Sequence, residues 1–180
     1  SERDSQFLYV DPQKQTSQAF GPLFRDYNFE SVAISPANYR LYAAAAGLAI
    51  KARRGMLYLV DPNTAELAAI GNTGFNDIED MTFRYDGTLW GWVDGKGIIQ
   101  INPETAYSYV RIPFRTKKIA PEGLAWTADG RFLYLADKTD LWWWEYGDGS
   151  TLSKKCQNLP GDRVEALVAL DDGRLMFSSS

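Results

Sequence analysis

A single arrangement of residues occurs four times along this chain of 180 residues and constrains its fold more than any other feature. Each copy has a glutamate, a short apolar run, a polar turn and a second apolar run that contains a leucine. The glutamates are Glu30, Glu79, Glu122 and Glu165, in steps of 49, 43 and 43 residues. A period of roughly 40–50 residues is typical of repeats that each form one small supersecondary unit. The chain is therefore expected to be an array of similar units.

The turns within and between these copies predict β-hairpins. Asp-Gly separates the two apolar runs in three copies, and Pro36-Ala37-Asn38 takes its place in the first. Asp-Gly between apolar runs is a strong hairpin signal, because a type I′ turn needs positive φ at both central residues. A second kind of strand ends in a proline, which removes a donor from the ladder and ends the pairing. It occurs at Asp11-Pro12, Asp61-Pro62 and Asn102-Pro103 and, in degenerate form, at residues 141–146.

The order of these strands predicts the architecture. If each glutamate hairpin is strands a and b, and each proline unit is strands c and d, the chain reads cd, abcd, abcd, abcd, ab. This order predicts an all-β fold, a β-propeller of four four-stranded antiparallel blades closed by pairing the N-terminal two strands with the C-terminal two. The alternative is part of a larger propeller, completed by other residues or by a second copy. The prediction is one domain over residues 1–180, cut from a longer protein, with blades near 26–70, 75–113 and 118–157 and a split blade from 160–180 plus 5–20.

The third copy resembles known propeller repeats. Pro121 to Trp126, followed by Asp129-Gly130 and Leu133 to Asp137, is similar to repeats of the NHL and SMP-30/gluconolactonase type. It also resembles esterase-like phytase and SdiA-regulated propellers. The resemblance implies the propeller fold, with five to seven blades in most relatives. The lactonase-like relatives use a glutamate at a comparable position for a divalent metal, which makes calcium the one candidate cofactor.

Composition excludes several classes of function. The net charge of −4 and the pI near 4.9 show no excess of basic residues of the kind that binds nucleic acid. No apolar run reaches the roughly 18 residues of a membrane span. The chain has no histidine and a single cysteine, Cys156. These counts exclude a Ser-His triad, a zinc site built from His and Cys, and an intrachain disulfide. The compartment stays open, with a secreted or cell-surface location favoured.

The four glutamates are the candidate metal ligands. Strand a lines the channel of a propeller, so the resemblance implies that Glu30, Glu79, Glu122 and Glu165 form a ring at one mouth. Converging carboxylates repel one another unless a cation, shared protons or backbone donors compensate, and Ca²⁺ prefers oxygen ligands. The alternative is that each glutamate accepts hydrogen bonds from the neighbouring blade as part of the repeat. Asp80, next to Glu79, is expected to point the opposite way.

The connection between strands b and c of the first repeat is longer than its counterparts. It spans residues 43–55 and ends with Lys51, Arg53 and Arg54. An insertion in one repeat forms a loop on one face, often the binding face. Asp94 and Asp137 end strand b in the next two repeats, so these five residues are the candidate ligand-binding set. The alternative is an elongated hairpin with solvated charges.

The preferred function is a non-catalytic binding module that presents one loop face to a protein or small ligand, with a cation on the axis as an option. No catalytic residue is assigned. One alternative is a calcium-dependent hydrolase of the lactonase, phytase or esterase-like kind, with Glu79 or Glu122 as ligand. Another is a structural spacer in a repeat array. Trp142, Trp143 and Trp144 are predicted to be core rather than a carbohydrate site, because both faces of a blade pack against neighbours.

Overall fold

The computed structural model describes residues 3–114, 119–149 and 152–179, and their regular secondary structure is entirely β-strand. The first eight strands are β1 (Ser5–Asp11), β2 (Thr16–Phe24), β3 (Phe29–Ile34), β4 (Leu41–Ala45), β5 (Met56–Val60), β6 (Leu67–Asn72), β7 (Ile78–Phe83) and β8 (Leu89–Val93). The last eight are β9 (Gly97–Ile101), β10 (Ser108–Pro113), β11 (Gly123–Trp126), β12 (Phe132–Asp137), β13 (Asp140–Glu145), β14 (Ser153–Cys156), β15 (Val164–Ala169) and β16 (Leu175–Ser179). Within these ranges no helix has the length and apolarity needed to cross a membrane.

The strands form the blades of a β-propeller. Three sheets have four antiparallel strands each: blade 1 is β3 to β6, blade 2 is β7 to β10, and blade 3 is β11 to β14. Strands β3, β7, β11 and β15 contact one another in that order, so the strand that begins each repeat is the innermost strand. The predicted all-β propeller with antiparallel four-strand repeats is confirmed.

The closing contact of the ring differs from the prediction. The N-terminal half-blade, β1 and β2, and the C-terminal half-blade, β15 and β16, are separate two-stranded sheets. In the described parts of the chain the predicted pairing of β16 with β1 is not made. The strand order follows from local sequence, whereas closure depends on how sharply the packed inner strands curve. The repeat period carries no information about that curvature.

The Asp-Gly hairpins are present, with a different turn from the one predicted. In blade 2 the amide of Arg84 donates to the Thr88 carbonyl and the amide of Gly87 donates to the Arg84 carbonyl. Gly87 has a φ of 83°, and Asp86 is not among the residues of positive φ. This is a three-residue loop, a type I turn followed by a left-handed glycine, rather than a type I′ turn. The C-terminal half-blade repeats the geometry, with Gly173 at a φ of 84°.

The proline units also share one turn. The carboxylate of Asp61 accepts hydrogen bonds from the amides of Asn63 and Thr64, at 2.7 and 3.1 Å. Equivalent bonds to Asn102 occur after β9 and to Asp11 after β1. The fourth residue beyond each of these polar residues has positive φ, at Gln15, Ala65 and Ala106. The N-terminal half-blade is therefore an outer strand pair, of the same type as the outer pairs of blades 1 and 2.

The core lies between blades, because each blade buries both of its faces. In β8, Leu89 and Val93 face blade 1, while Trp90 and Trp92 face blade 3 and are fully buried. The ring of Trp90 meets that of Trp126 edge-to-face, with centroids 5.4 Å apart. Trp144 is 2% exposed and belongs to the same cluster. Trp142 packs against this cluster, whereas Trp143 is half-buried against the Phe132 ring, so the predicted core role is confirmed for Trp144 and Trp142.

Candidate functional site

The four repeated glutamates line one cavity of about 560 Å³, here called the glutamate cavity. Its walls are the beginnings of the inner strands, together with the start of the N-terminal half-blade and one residue of the insertion in blade 1. The lining residues are Asp4, Ser5, Asn28, Phe29, Glu30, Leu48, Glu79, Glu122 and Glu165. The structure therefore brings together all four predicted glutamates.

A β-bulge accompanies three of these glutamates, and the fourth has a related hydrogen bond. The register of the inner hairpin shifts across Glu30 in β3, across Glu79 in β7 and across Glu165 in β15. In blade 3 the amide of Glu122 donates to the Ala136 carbonyl, although Ala136 is already the partner of Gly123. A bulge places two residues opposite one and redirects a side chain. The bulge is the local feature that positions Glu30, Glu79 and Glu165, and it was not among the predictions from the sequence.

Carboxylates are concentrated on one side of the cavity. Glu30, Asp77 and Glu79 each offer an oxygen within 4.8 Å of the other two. The pKa of Glu79 is raised to about 7, first by burial and then by the charges of Glu30, Asp77 and Asp94. The guanidinium of Arg163 acts in the opposite direction. Glu79 therefore exchanges its proton near neutral pH, and a cation beside it would favour the ionised form.

Two side chains that are not among the predicted site residues hold glutamates in place. Asn28 is buried, and its amide donates to Oε1 of Glu30 at 3.0 Å. Its carbonyl oxygen accepts from the Leu48 amide at 2.8 Å and so ties the insertion to the cavity. Arg163, which precedes β15, forms an ion pair with Glu122. A sequence signal was available for Asn28, because asparagine is enriched at positive φ and Asn28 has a φ of 45°.

The basic end of the insertion, Lys51, Arg53 and Arg54, does not line the glutamate cavity, and a role of these residues in binding a ligand stays a prediction. Arg53 stacks on the Tyr27 ring, 3.8 Å from its centroid, and donates to the Arg25 carbonyl at 2.8 Å. Arg54 donates to the Ala49 carbonyl at 3.0 Å. Lys51 is exposed. The two arginines brace the insertion against the preceding loop, and Leu48 is the insertion residue that reaches the cavity.

The two aspartates at the ends of strand b have different surroundings. Asp94 is exposed and close enough to raise the pKa of Glu79, but it does not line the cavity. Asp137 is buried, and its Oδ1 accepts a hydrogen bond from the Ala120 amide at 3.2 Å. The carboxylate of Asp137 thus contacts the backbone before β11, and its role in binding a ligand stays a prediction.

Asp80 links three inner strands beneath the cavity. Its Oδ2 accepts a hydrogen bond from the Leu124 amide of blade 3 at 2.6 Å. Its Oδ1 accepts one from the Met81 amide of its own strand at 2.8 Å and one from the Ser31 hydroxyl of blade 1 at 3.2 Å. Burial raises its pKa to about 7, and the two backbone donors oppose that increase. Asp80 does not line the glutamate cavity, which agrees with the prediction that it points away from Glu79.

Comparison with known proteins identifies the fold and no family. No family model matches the chain, and no curated protein matches it. A chain of the crystal structure of a nidogen/laminin complex superposes with a TM-score of 0.70 at 14% identity, over 94% of this chain and 64% of that one. A structural genomics protein of unknown function from Bacteroides thetaiotaomicron VPI-5482 gives 0.67 at 12% identity, over 93% and 49%. The chain thus spans less than two thirds of either protein.

Proposed function

We propose that this chain is a non-catalytic β-propeller module that binds a protein partner through a cationic group placed in the glutamate cavity. The observation that carries the proposal is the convergence of Glu30, Glu79, Glu122 and Glu165 on one open cavity. A cavity lined by one sign of charge raises the local concentration of ligands of the opposite sign. A lysine or arginine side chain of a partner has the charge and the length to enter it.

The electrostatics of Glu79 support a cationic ligand. Burial and, after it, the charges of neighbouring carboxylates raise the pKa of Glu79, so negative charge around Glu79 is one of the two causes of the raised pKa. Arg163 offsets part of that charge through its ion pair with Glu122. A bound cation near Glu79 would lower the pKa of Glu79 and release a proton.

The structural comparison also supports a protein partner. One of the similar chains comes from a crystal structure of a nidogen/laminin complex. At 14% identity that similarity concerns the fold alone. It supports the proposal only as an example of this fold in a protein complex.

The proposal predicts that a labelled peptide rich in lysine and arginine binds the chain and that binding depends on the cavity. In fluorescence anisotropy, Glu165→Gln is expected to weaken binding about tenfold, equivalent to about 1.4 kcal/mol. The affinity of the original chain should rise with pH through the Glu79 pKa of about 7, and Glu79→Gln should remove that rise.

Glu104→Gln is the matched control, because Glu104 is exposed on the turn between β9 and β10, away from the cavity. It should leave the affinity unchanged. Equal losses in Glu104→Gln and Glu165→Gln would show general attraction to an acidic surface and would contradict a cavity-specific site.

A calcium-dependent hydrolase of the lactonase or phytase-like kind is the second candidate, and the cluster of Glu30, Asp77 and Glu79 favours it. Their oxygens lie within 4.8 Å of one another, and Ca²⁺ takes six to eight oxygen ligands at about 2.3–2.6 Å. If a cation binds there, millimolar Ca²⁺ should raise the Tm above its value in EDTA, because a ligand of the folded state stabilises it. Glu79→Gln should remove the shift.

Turnover separates the two candidates. Calcium-dependent hydrolysis of a lactone, an aryl ester or phytate, lost in Glu79→Gln, would establish the hydrolase and reject the non-catalytic module. Calcium binding without turnover fits the module with an axial cation. An absence of peptide binding, calcium binding and turnover together would leave a structural spacer.

A further inference from the structure

Blade 2 has another cavity at the end opposite the glutamate cavity, here called the tyrosine groove. β7 starts at the glutamate cavity and ends at the Asp-Gly turn, and the groove lies between that turn and the one that joins β9 to β10. Its volume is about 280 Å³, and its lining includes Thr88, Gln100, Asn102, Tyr107 and Tyr109. Tyr107 is 71% exposed and Tyr109 is 42% exposed. None of the lining residues in the described parts of the chain is charged.

The other complete blades show what the repeat requires at this place. Gln100 of β9 and Tyr109 of β10 are cross-strand partners, and the equivalent pair in blade 1 is Leu59 and Ala68. In blade 3 the same register makes Trp143 the counterpart of Gln100. It packs on a phenylalanine ring of its own blade, with centroids 4.5 Å apart. The fold of a blade therefore does not require the glutamine–tyrosine pair, which is specific to blade 2.

The polar side chains of the groove offer donors, because their oxygens are already engaged. The Tyr109 hydroxyl donates to Oε1 of Gln100 at 2.5 Å. Oδ1 of Asn102 accepts from the amides two and three residues further on, at 2.9 and 3.1 Å. The Thr88 hydroxyl accepts from the Trp90 indole at 2.8 Å. No hydrogen bond from Nε2 of Gln100 or Nδ2 of Asn102 occurs within the described residues, so both remain free to donate.

A ligand that fits this groove has apolar rings, carbonyl acceptors and few donors of its own. Proline-rich segments have all three properties, because proline lacks a backbone N–H and the polyproline II conformation leaves its carbonyls unpaired. Proteins recognise such segments in grooves lined by aromatic side chains. The charges are complementary as well, since the uncharged groove presents N–H groups and the ligand presents carbonyl oxygens. A neutral oligosaccharide fits less well, because its hydroxyls both donate and accept.

We propose that the tyrosine groove binds a proline-rich segment of a partner protein in the polyproline II conformation. Proline rings lie against Tyr107 and Tyr109, and carbonyl groups of the segment accept hydrogen bonds from Gln100 and Asn102. The groove is at the opposite end of the inner strands from the glutamate cavity. The inference is therefore independent of what the glutamate cavity binds, and a partner in the groove leaves that cavity open.

Fluorescence anisotropy with a labelled decaproline peptide tests the proposal. The original chain should bind the peptide, and Tyr107→Ala should weaken binding about tenfold because a ring that contacts proline is lost. Tyr39→Ala is the matched control, since Tyr39 is 81% exposed on the turn between β3 and β4 of blade 1. It should leave the affinity unchanged. An absence of decaproline binding, or equal losses in the two variants, would overturn the proposal.

Gln100→Glu tests the donors separately from the rings. The new side chain has nearly the same shape, and the Tyr109 hydroxyl can still donate to it, but acceptor oxygens replace the NH₂ group. The affinity for decaproline should fall about tenfold, because the segment carries no donor to pair with them. Far-UV circular dichroism should stay the same, since Gln100 is only half-buried. An unchanged affinity in this variant would overturn the proposal.

Two further probes separate proline recognition from other kinds of binding. A labelled glycine–serine peptide of the same length should not bind, and binding equal to that of decaproline would overturn the proposal. Maltohexaose should not displace decaproline, and displacement would identify a carbohydrate site and overturn it too. Glu165→Gln, which alters the glutamate cavity, should leave decaproline binding unchanged. A failure of the tyrosine groove would therefore leave the proposal for the glutamate cavity intact.

Discussion

Two neighbouring residues on one strand of this propeller have different roles. Glu79 and Asp80 are neighbours on β7, yet Glu79 lines the cavity while Asp80 ties the Ser31 hydroxyl and the Leu124 amide to its own strand. Burial raises the pKa of both side chains to about 7. The folded chain thus retains protons on these residues that the unfolded chain releases at lower pH.

These raised pKa values predict that stability falls as pH rises. Between the ordinary glutamate pKa of 4.5 and the pKa of about 7 that Glu79 has in the folded chain, the folded state binds more protons than the unfolded state. The free energy of unfolding should therefore be largest at the acidic end of this window and decrease toward pH 7. Urea unfolding across the window measures the slope. Glu79→Gln should reduce it, whereas Glu104→Gln should not. A free energy of unfolding that increases with pH across this window in the original chain would contradict the raised pKa of Glu79.

Between elements, the contact of blade 2 with blade 3 depends on a buried arginine. The side chain of Arg84 donates from Nε to the Gly130 carbonyl at 2.8 Å and lies 4.0 Å from the centroid of the Tyr146 ring. Its Nη1 forms an ion pair with Asp86 in the turn of its own blade. One side chain thus joins the inner turns of two blades.

Replacing Arg84 should cost far more stability than replacing an exposed arginine with the same kind of partner. Arg84→Ala is expected to lower the free energy of unfolding by about 2–3 kcal/mol, because it leaves the buried Gly130 carbonyl without its donor. Arg131→Ala removes an exposed ion pair with Glu145 and should cost less than about 1 kcal/mol. Urea denaturation of both variants checks the difference. Equal losses would show that the Arg84 contacts are not a blade-to-blade link.

For the whole molecule, the consequence of the two half-blades is uneven local stability. A two-stranded sheet is only marginally stable by itself, so the backbone amides of β1 and β2 should exchange with solvent faster than those of β8 and β9, which are the central strands of a complete blade. Hydrogen exchange followed by mass spectrometry measures both rates. Equal protection of these four strands would contradict the expectation.

Local sequence was sufficient for much of this description. The spacing of the glutamates and the alternation of Asp-Gly with Asp-Pro turns predict sixteen strands in their observed order, since each signal acts within a few residues. The convergence of the glutamates was implied by the resemblance to known propeller repeats, in which the first strand of each repeat lines the channel. The burial of Trp90, Trp92 and Trp144 follows from blades that bury both faces.

Only the tertiary structure decided the features that depend on contacts between distant segments. The bulge that redirects Glu30, Glu79 and Glu165 is a property of strand pairing, and composition does not reveal it. Arg53 binds Tyr27 and the Arg25 carbonyl, instead of the cavity, because the insertion folds back on a loop that lies earlier in the chain. Asp137 faces a backbone amide for a similar reason. β16 and β1 belong to separate sheets. Their separation depends on the packing angles between all the successive blades that lie between them. A repeat specifies each unit, but the curvature of the assembled ring is set by the side chains that pack between units.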